Sequence, residues 1–381
     1  MRVLHLGKFY PPTPGGIERV LQTLANESAA AGIATAVLAH APPGQWHGSA
    51  REEAGVRVRE VACFGQLLYA PISPTLPWQL ARSVRKFRPD LIHLHLPNTS
   101  AFAALAVAGA RRIPWIIHWH ADIPLDSGSR ALRLAYPLYR PWEQAMLRRA
   151  AAVIATSPNY RDASGALRPW IGKVEVIPLS LGNGPHTQVA KRTDLWPPSS
   201  FRLLAVGRLS HYKGFDVLLH ALADVPQASL LLVGAGEEMS RLRLLVDSLH
   251  LQDRVRLAGH VDDATLEQAY ATADAFCLPS LDRAEAFGMV LLEAMRAGLP
   301  IAASDVPGSG IGYVLQRNET ALMVTPDSAS ELALTLRELV NDPVLRQRLG
   351  DAGRQRWQTQ FTPAQTTPAL LDLYRRVLAQ P

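Results

Sequence analysis

Cysteine is scarce in this sequence of 381 residues, which contains only Cys63 and Cys277. Two cysteines cannot build the disulfide framework of a small secreted protein, and such scarcity is typical of a reducing compartment. The first residues, MRVLHLGKFYPPT, also lack the long apolar core of a signal peptide. We therefore expect a cytoplasmic protein.

Sequence patterns for metal binding are also missing. The chain has no Asp-x-Asp motif, and its cysteines and histidines do not show the spacing of a metal site. If phosphate charge is stabilised in this protein, cations and helix dipoles have to stabilise it. We therefore predict neither a metal nor another cofactor.

Long hydrophobic runs are absent as well. The longest uncharged run, Leu91–Ala110, includes His93, His95, Pro97 and Asn98, and we interpret it as a strand, a loop and a helix. The composition is 48% hydrophobic and 19% charged, which is typical of a soluble globular protein. The length is sufficient for two domains of ordinary size.

Apolar strand-like segments alternate with helical segments along most of the chain. A stretch rich in Gly, Pro and polar residues interrupts this alternation, which begins again at Phe201. The pattern predicts an α/β protein with two doubly wound, Rossmann-like domains that face a central cleft. We predict an N-terminal domain at residues 1–182, a linker at 183–200, a C-terminal domain at 201–360 and a helix at 361–381 that packs back toward the first domain.

Three local features are predicted in more detail. Ser100–Arg111 reads as one helix, and another helix starts at Glu237, so that two acidic residues occupy its first turn. In the C-terminal helix, Leu371, Tyr374 and Leu378 form the apolar stripe that has to be buried.

The first half of the chain has two sets of candidate site residues. Gly15 and Gly16 lie between the first strand and a helix, where glycine lets a ligand approach the backbone, although GxGxxG is absent. Polar side chains also follow two strands, at the end where α/β sheets bind ligands. A single histidine near a strand is more often structural, but a cluster there indicates a site. The candidates there are His95, Asn98 and Asp122, with His120 beside them.

In the second half, Arg208 and Lys213 follow a strand and precede a helix. They are flanked by Gly207 and Gly214, which indicate close backbone approach. Two cations beside a helix N-terminus form a strong site for a diphosphate, whereas two exposed basic residues are the plainer alternative.

Two carboxylates dominate the stretch RAEAFGMVLLEAMRAGLP. Glu285 lies in a loop after a strand, and Glu293 lies inside the helix that follows Gly288. This arrangement offers a carboxylate and free backbone N–H groups at a helix N-terminus. The nearby turn Gly234–Gly236 starts like a dinucleotide fingerprint, but Met239 replaces its third glycine, so NAD binding is disfavoured.

In this order and two-domain frame, the motifs resemble those of retaining glycosyltransferases of the GT-B fold, in the large family four. The resemblance covers almost the whole chain. It is carried by Gly15–Glu18, Gly207–Arg208 with Lys213–Gly214, Gly234–Gly236, Leu278–Ser280, and Glu285–Gly288 with Glu293.

The resemblance implies a role for each motif. Arg208 and Lys213 would hold the diphosphate of a nucleotide sugar and neutralise the leaving group. Glu293 would bind the ribose hydroxyls, Glu285 the hydroxyls of the donor sugar, and His120 would lie near the anomeric carbon. The implied catalytic set is Glu285, His120, Arg208 and Lys213. His95, Asn98 and Asp122 would lie on the acceptor side. Further implied donor contacts are Gly15, Gly16, the backbone of Phe287, Gly288 and Met289, and, beside the base, His260 and Val261.

The same resemblance implies that the anomeric configuration is retained by front-face attack. The acceptor hydroxyl would enter on the side of the leaving phosphate, whose oxygen takes the proton. No carboxylate nucleophile is evident on the other face of the sugar, which agrees with this mechanism.

The segments HLHLPN, HWHADI and ATSPNY are similar to those of mannosyl- and rhamnosyltransferases that build bacterial polysaccharides on a lipid carrier. This favours GDP-mannose or a related GDP-sugar as donor, and a glycan or polyprenyl-linked acceptor. A UDP-sugar stays open as the donor, and a non-catalytic two-domain protein that binds a sugar or nucleotide is the alternative from another class. The full set of charged motif residues favours the enzyme.

The net charge of +6 is concentrated in two segments. Arg130–Arg149 carries five arginines and one acid, with aromatic residues among them, and Arg82–Arg88 carries four cations. Such segments either bind anionic lipid headgroups or cover a core with arginine stems. Lipid binding would place the protein peripherally at the inner face of the plasma membrane. We expect no nucleic-acid partner.

Overall fold

The computed structural model describes residues 1–125, 130–182 and 195–379. The chain divides into two compact units, Met1–Gly182 with Pro363–Pro381, and Asn183–Thr362. Residues 183–194, most of the predicted linker 183–200, lie outside the described residues. At the end of that segment Trp196 is buried, and its indole N–H donates to Oγ1 of Thr272 at 2.9 Å.

The first unit is built on an eight-stranded sheet. The described strands of that sheet are β1 (Arg2–Leu6), β2 (Ala34–His40), β3 (Ser49–Glu53), β4 (Val56–Val61), β7 (Leu91–Leu96), β8 (Trp115–Trp119), β9 (Ala152–Ala155) and β10 (Val174–Val176). Two short strands, β5 (Gln66–Leu67) and β6 (Ala70–Pro71), form a separate sheet. The order in the large sheet is β10-β9-β8-β7-β1-β2-β4-β3. All neighbours in the large sheet are parallel except β3, which runs antiparallel at the edge.

Helices cover this sheet because their apolar residues recur at helical spacing. In the first of them Leu21 and Ala25, one turn apart, pack against Val37 and Val58 of the sheet. The described α-helices of the unit are α1 (Gly16–Ala30), α2 (Leu76–Phe87), α3 (Ala103–Ala106), α4 (Ala108–Arg111), α5 (Arg130–Arg149), α6 (Pro158–Ala163) and, after the second unit, α14 (Pro363–Ala379).

The second unit has a six-stranded sheet with order β13-β12-β11-β14-β15-β16, and all neighbours are parallel. Its described strands are β11 (Phe201–Val206), β12 (Ala228–Val233), β13 (Val255–Gly259), β14 (Ala275–Leu278), β15 (Ile301–Ser304) and β16 (Leu322–Val324). Its described α-helices are α7 (Phe215–Ala223), α8 (Met239–Ser248), α9 (Asp263–Thr272), α10 (Met289–Ala297), α11 (Ile311–Val314), α12 (Ala329–Asn341) and α13 (Pro343–Gln360).

Each sheet has a point where the strand order reverses. In the first sheet it lies between β1 and β7, and in the second between β11 and β14. Ligands of doubly wound sheets bind outside the carboxyl ends of the strands at such points. The fold therefore marks one candidate location in each unit.

Three local predictions are wrong. Ser100–Arg111 is a 3-10 turn followed by two short helices, because Val107 has extended backbone. Helix α8 begins at Met239, and Glu238 precedes it. In α14 the fully buried positions are Leu370, Leu373, Tyr374 and Val377, whereas the predicted Leu371 and Leu378 are half-buried at the margin of the stripe.

The C-terminal helix α14 belongs to the first unit. The Tyr374 hydroxyl lies 2.6 Å from Nδ1 of His93 in β7, and Arg376 forms an ion pair with Glu175 of β10. Among the described helices, from α1 to α14, none combines the length and apolar character needed to cross a membrane.

Candidate functional site

A buried ion pair joins two of the residues that the sequence singled out. Lys213 ends the 3-10 turn His211–Lys213 after β11, and Glu285 lies in the loop after β14. The Lys213 ammonium donates to Oε2 of Glu285 at 2.5 Å, and the two side chains are only 8% and 10% exposed. The pair therefore forms where the strand order of the second sheet reverses.

The loops after β11 and β14 are held together beside this pair. The Leu281 N–H donates to the carbonyl oxygen of Tyr212 at 2.7 Å. Gly214 has φ +64°, and a Cβ on it would lie 2.1 Å from the carbonyl oxygen of Pro279. Only glycine permits this approach, which explains the Lys213–Gly214 motif.

Two serines hold Glu285 from the other side. The Ser280 hydroxyl donates to Oε2 of Glu285 at 3.3 Å, and the Ser309 hydroxyl donates to the Glu285 carbonyl oxygen. Both serines are fully buried. The carboxylate is thus fixed by its backbone as well as by its ion pair.

Opposing effects act on the pKa of Lys213. Burial is the largest single effect and disfavours the ammonium form. The carboxylate of Glu285, together with contributions from Tyr212 and Glu293, offsets it, and the pKa of Lys213 is raised. Lys213 is therefore cationic at neutral pH. The contribution of Glu293 also shows that both predicted carboxylates lie in the electrostatic neighbourhood of one lysine.

Glu293 occupies the second turn of α10 and is buried. The Tyr270 hydroxyl, from α9, donates to Oε2 of Glu293 at 2.7 Å. Sequence analysis missed Tyr270, because nothing in the sequence shows that α9 packs beside α10. The tyrosine hydroxyl helps to orient this buried carboxylate.

The segment Phe287–Met289 leads into α10. Gly288 caps the helix with φ +83°, while the Phe287 ring turns into the core and meets Phe361 edge to face, with ring centroids 6.2 Å apart. The Phe287 side chain cannot serve as a ligand contact from there. What this segment could offer a ligand is backbone N–H groups at a helix N-terminus, and its contact with the donor stays a prediction.

Arg208 has a different environment from Lys213. Its side chain is 54% exposed and lies 3.4 Å from Glu237, which is 49% exposed. Such a surface pair contributes little to stability because water screens it. The two predicted cations are therefore a rigid buried lysine and a solvent-facing arginine.

The remaining predicted contacts of this unit lie along the same strand-end edge. Gly234 approaches Gly207 so closely that a Cβ on it would be 1.9 Å from the Gly207 carbonyl oxygen. His260 and Val261 follow β13, which β12 and β11 separate from β14. Three strand spacings amount to about 14 Å. The structure therefore places His260 and Val261 at the predicted edge but some distance from the ion pair.

In the first unit, the helix start at Gly15 and Gly16 contains a carboxylate. Glu18 is buried, accepts a hydrogen bond from its own backbone N–H, and has a pKa raised by burial. A Cβ on Gly15 would lie 2.0 Å from Oε2 of Glu18, whereas a Cβ on Gly16 would meet nothing within 4 Å. Gly15 thus makes room for Glu18, and Gly16 keeps the surface open.

Two predicted acceptor-side residues have structural partners. Oδ1 of Asn98 accepts from the Ser100 N–H at 3.1 Å and caps a 3-10 turn. Oδ1 of Asp122 accepts from the Trp119 indole at 2.9 Å and from the Ser164 hydroxyl at 2.6 Å. Both side chains therefore order the loops at these strand ends, and neither has been shown to contact an acceptor.

Five buried histidines meet at the reversal point of the first sheet. The group includes the predicted His95 and His120, and its full membership is His5, His93, His95, His118 and His120. Donor atoms of His5, His93 and His95, and of His95, His118 and His120, lie within 4.8 Å of one another. The histidines therefore come together although their sequence spacing shows no metal-binding pattern, because neighbouring strands supply them.

The arrangement of the rings limits what this cluster can do. His95, His118 and His120 stack with interplanar angles of 8° to 16°. Ring-nitrogen lone pairs lie in the ring plane, so nearly parallel rings do not direct them at one point, as tetrahedral coordination requires. Hydrogen bonds between the rings describe the cluster better than a metal centre does.

Two family models together match most of the chain. The model described as "Glycosyl transferase 4-like domain" matches residues 15–180, and the model described as "Glycosyl transferases group 1" matches residues 188–356. The D-rhamnosyltransferase WbpZ of Pseudomonas aeruginosa is 30% identical over 95% of this chain and 92% of that protein. The chain belongs to the glycosyltransferases.

Other comparisons agree with this assignment. The O-antigen chain mannosyltransferase C of Escherichia coli is 27% identical to this glycosyltransferase, over 99% of each chain. The structure of sucrose-phosphate synthase (tll1590) from Thermosynechococcus elongatus superposes with a TM-score of 0.81 and 24% identity, over 100% of both chains. The predicted glycosyltransferase family and the predicted GT-B fold are confirmed, whereas retention of the anomeric configuration stays a prediction.

Proposed function

We propose that this glycosyltransferase moves a hexose, mannose or a related sugar, from a GDP-sugar to a glycan or lipid-linked acceptor in cell-surface polysaccharide synthesis. Two relatives, an O-antigen chain mannosyltransferase and a D-rhamnosyltransferase, support the proposed sugar and pathway. The buried Lys213–Glu285 pair at the reversal point of the second sheet is the observation that carries the chemistry.

In this proposal the charged groups bind different parts of the donor. Lys213 and Arg208 bind the diphosphate and offset the charge that develops on the leaving group. Glu285 accepts hydrogen bonds from the sugar hydroxyls, and Glu293 from the ribose hydroxyls. A buried cation and an exposed one suit a diphosphate that enters from solvent and ends in a desolvated site.

The proposed reaction retains the anomeric configuration. The glycosidic C–O bond to the diphosphate breaks as the acceptor oxygen attacks the same carbon from the same face. The acceptor proton passes to the leaving phosphate oxygen, so the products are the glycoside and the nucleoside diphosphate. Glu285 positions the sugar and forms no covalent bond to it.

Nucleotide-dependent stabilisation tests the donor assignment. We expect GDP to raise the melting temperature more than UDP, ADP or dTDP, and GDP-mannose to raise it further. A ligand at 100 times its Kd adds about 2.7 kcal/mol to the free energy of unfolding. A larger response to UDP would favour the alternative UDP-sugar donor, and no response to any of the four would contradict the proposal.

Arginine variants make this test site-specific. Arg208→Ala is expected to reduce the GDP response without altering the melting temperature of the free protein, since the Arg208–Glu237 pair is exposed. Arg317→Ala is the matched control, because Arg317 is 51% exposed and paired with Asp305. A binding protein without catalysis would show these responses but no sugar transfer and no release of GDP.

The second part of the proposal is peripheral contact with an anionic membrane. Leu134, Leu138 and Trp142 recur every four residues on α5 and are 79%, 77% and 53% exposed. Five arginines share the helix with one acidic residue, the buried Glu143. An apolar stripe among cations suits a surface of anionic lipid headgroups.

Sedimentation with anionic vesicles at low salt measures this contact. We expect the protein to sediment with them, and Leu134→Ser/Leu138→Ser to reduce the partition coefficient at least about tenfold, because each leucine contributes about 1.5 kcal/mol or more on burial. Leu244→Ser/Leu334→Ser, which changes two exposed leucines of the second unit, is the control. Equal sedimentation of both variants, or none by the native protein, would exclude this surface.

A further inference from the structure

Three of the five clustered histidines form a continuous hydrogen-bonded chain. Nδ1 of His5 lies 3.1 Å from Nε2 of His95, and Nδ1 of His95 lies 2.9 Å from Nε2 of His120. The residues come from β1, from β7 and from the end of β8, which are consecutive in the sheet. His93 and His118 stack against these rings.

Burial keeps the three rings neutral. It lowers the pKa of His5 to about 3 and the pKa values of His95 and His120 well below their ordinary range, and the neighbouring histidines add to this effect. A neutral imidazole has one N–H donor and one bare acceptor nitrogen. The two hydrogen bonds must therefore run in the same direction along the chain.

The buried end of the chain decides that direction. Nε2 of His5 is buried and has no hydrogen-bond partner among the residues that the structure describes. If His120 donated to His95 and His95 to His5, this Nε2 would carry an orphaned N–H, which is rarer in protein interiors than an unpaired acceptor. The favoured direction is therefore His5 to His95 to His120, with Nδ1 protonated in all three rings.

The other end of the chain is less deeply buried. His120 is 5% exposed, more than the other four rings, which are 0% or 1% exposed. Its Nε2 accepts from His95, and its Nδ1 makes no hydrogen bond to any residue that the structure describes. The proton of His120 is thus on the nitrogen that is left for an external partner.

We propose that His95 and His5 are positioning residues that hold His120 in the Nδ1–H tautomer, so that His120 offers a fixed N–H donor to a hydroxyl or phosphate oxygen of a bound substrate. The substrate contact rests on the proposed function, whereas the tautomer rests on this unit alone. With its lone pair engaged by His95, His120 is a donor and cannot accept the acceptor's proton.

Nitrogen NMR of the full chain labelled with ¹⁵N-histidine tests the tautomer directly. We expect two-bond couplings that identify His120 as protonated on Nδ1, with resonances assigned by the loss of one set in His120→Gln. His95→Leu removes the donor and is expected to give a mixture of tautomers in His120. A native His120 protonated on Nε2, or a tautomer unchanged in His95→Leu, would overturn the proposal.

Kinetics separate positioning from mere packing. His95→Leu is expected to lower kcat about tenfold with little change in KM, as for the loss of one oriented hydrogen bond. His95→Asn, whose amide N–H can replace the Nδ1 donor, is expected to restore most of that rate. His118→Leu is the control, because neither ring nitrogen of His118 forms a hydrogen bond within the described part of the chain. An equal loss in His118→Leu and His95→Leu, or no rescue by Asn, would show a packing effect and refute positioning.

The two readouts also distinguish which idea fails. If native His120 is protonated on Nδ1 but the protein transfers no sugar, the tautomer lock stands and the proposed function fails. If transfer is observed but His120 is protonated on Nε2, the proposed function stands and the lock fails. Where His95→Leu does not fold, the native spectrum and His95→Asn still decide the matter.

Discussion

Glu285→Gln is expected to lower kcat by at least about 100-fold while the protein still binds the nucleoside diphosphate. The substitution keeps the size of the side chain but removes its charge and half of its acceptor capacity. In glycosyl transfer the transition state resembles an oxocarbenium ion, whose positive charge a nearby carboxylate stabilises. The loss should therefore appear in kcat, with a smaller change in KM.

Initial rates at saturating donor measure this effect, and two variants serve as its controls. Ser280→Ala removes only the 3.3 Å hydrogen bond to Oε2 of Glu285, so its loss should be about tenfold or less. Glu143→Gln changes another buried carboxyl, whose pKa burial raises to about 7, and should leave kcat nearly unchanged. Native kcat in Glu285→Gln would show that the carboxylate is dispensable.

The structure joins two roles that the sequence suggested separately. Sequence analysis assigned Lys213 to the diphosphate and Glu285 to the sugar, but the two are bonded to each other. They are 72 positions apart, and their contact depends on β11 pairing with β14 across β12 and β13 in the chain order. Parallel pairing of non-consecutive strands cannot be inferred from local patterns, so this contact could not be predicted.

More of the histidine cluster could have been predicted from the sequence. His93 with His95, and His118 with His120, are two residues apart, so each pair faces one side of its strand. That spacing, applied to two neighbouring strands, would have predicted four rings on one face. His5 joins them because β1 pairs with β7 at His5 and His93, a register that only the structure shows.

A carboxylate in a first helical turn was harder to interpret. Glu18 follows Gly15 and Gly16, a pattern that also suits an anion-binding helix start. Its burial and its hydrogen bond to its own N–H depend on how α1 packs on the sheet. Sequence reasoning finds the helix start, but tertiary packing decides which group satisfies its N–H donors.

Lys213→Met is expected to lower the free energy of unfolding by about 3–5 kcal/mol, because it leaves the Glu285 carboxylate buried without its cation. Methionine fills a similar volume, so little of this loss should come from a cavity. Chemical denaturation at neutral pH measures it. A change below about 1 kcal/mol would mean that water reaches Glu285 and that the pair is not effectively buried.

The pH dependence of this loss has a defined sign. Because the folded-state pKa of Lys213 is raised, its contribution is fully present below the unfolded pKa of a lysine, about 10.4, and declines as the pH rises through the folded value. The difference between native protein and Lys213→Met should therefore not decline from about pH 7 to about pH 9. A decline within that range would indicate that burial dominates and the pKa is lowered.

Combining the two substitutions separates stability from function. In Lys213→Met/Glu285→Gln no charge of the pair is left buried, so the free energy of unfolding should recover most of the loss seen in Lys213→Met. Binding of the diphosphate should stay about 100-fold weaker than in the native protein, since the charged donor is gone. If the double variant regained both stability and binding, Lys213 would be a structural partner of Glu285 and not a ligand of the phosphate. If stability recovers but diphosphate binding does not, the ion pair belongs to the binding site. Removing both charges would then leave the fold stable and weaken only the binding of the diphosphate.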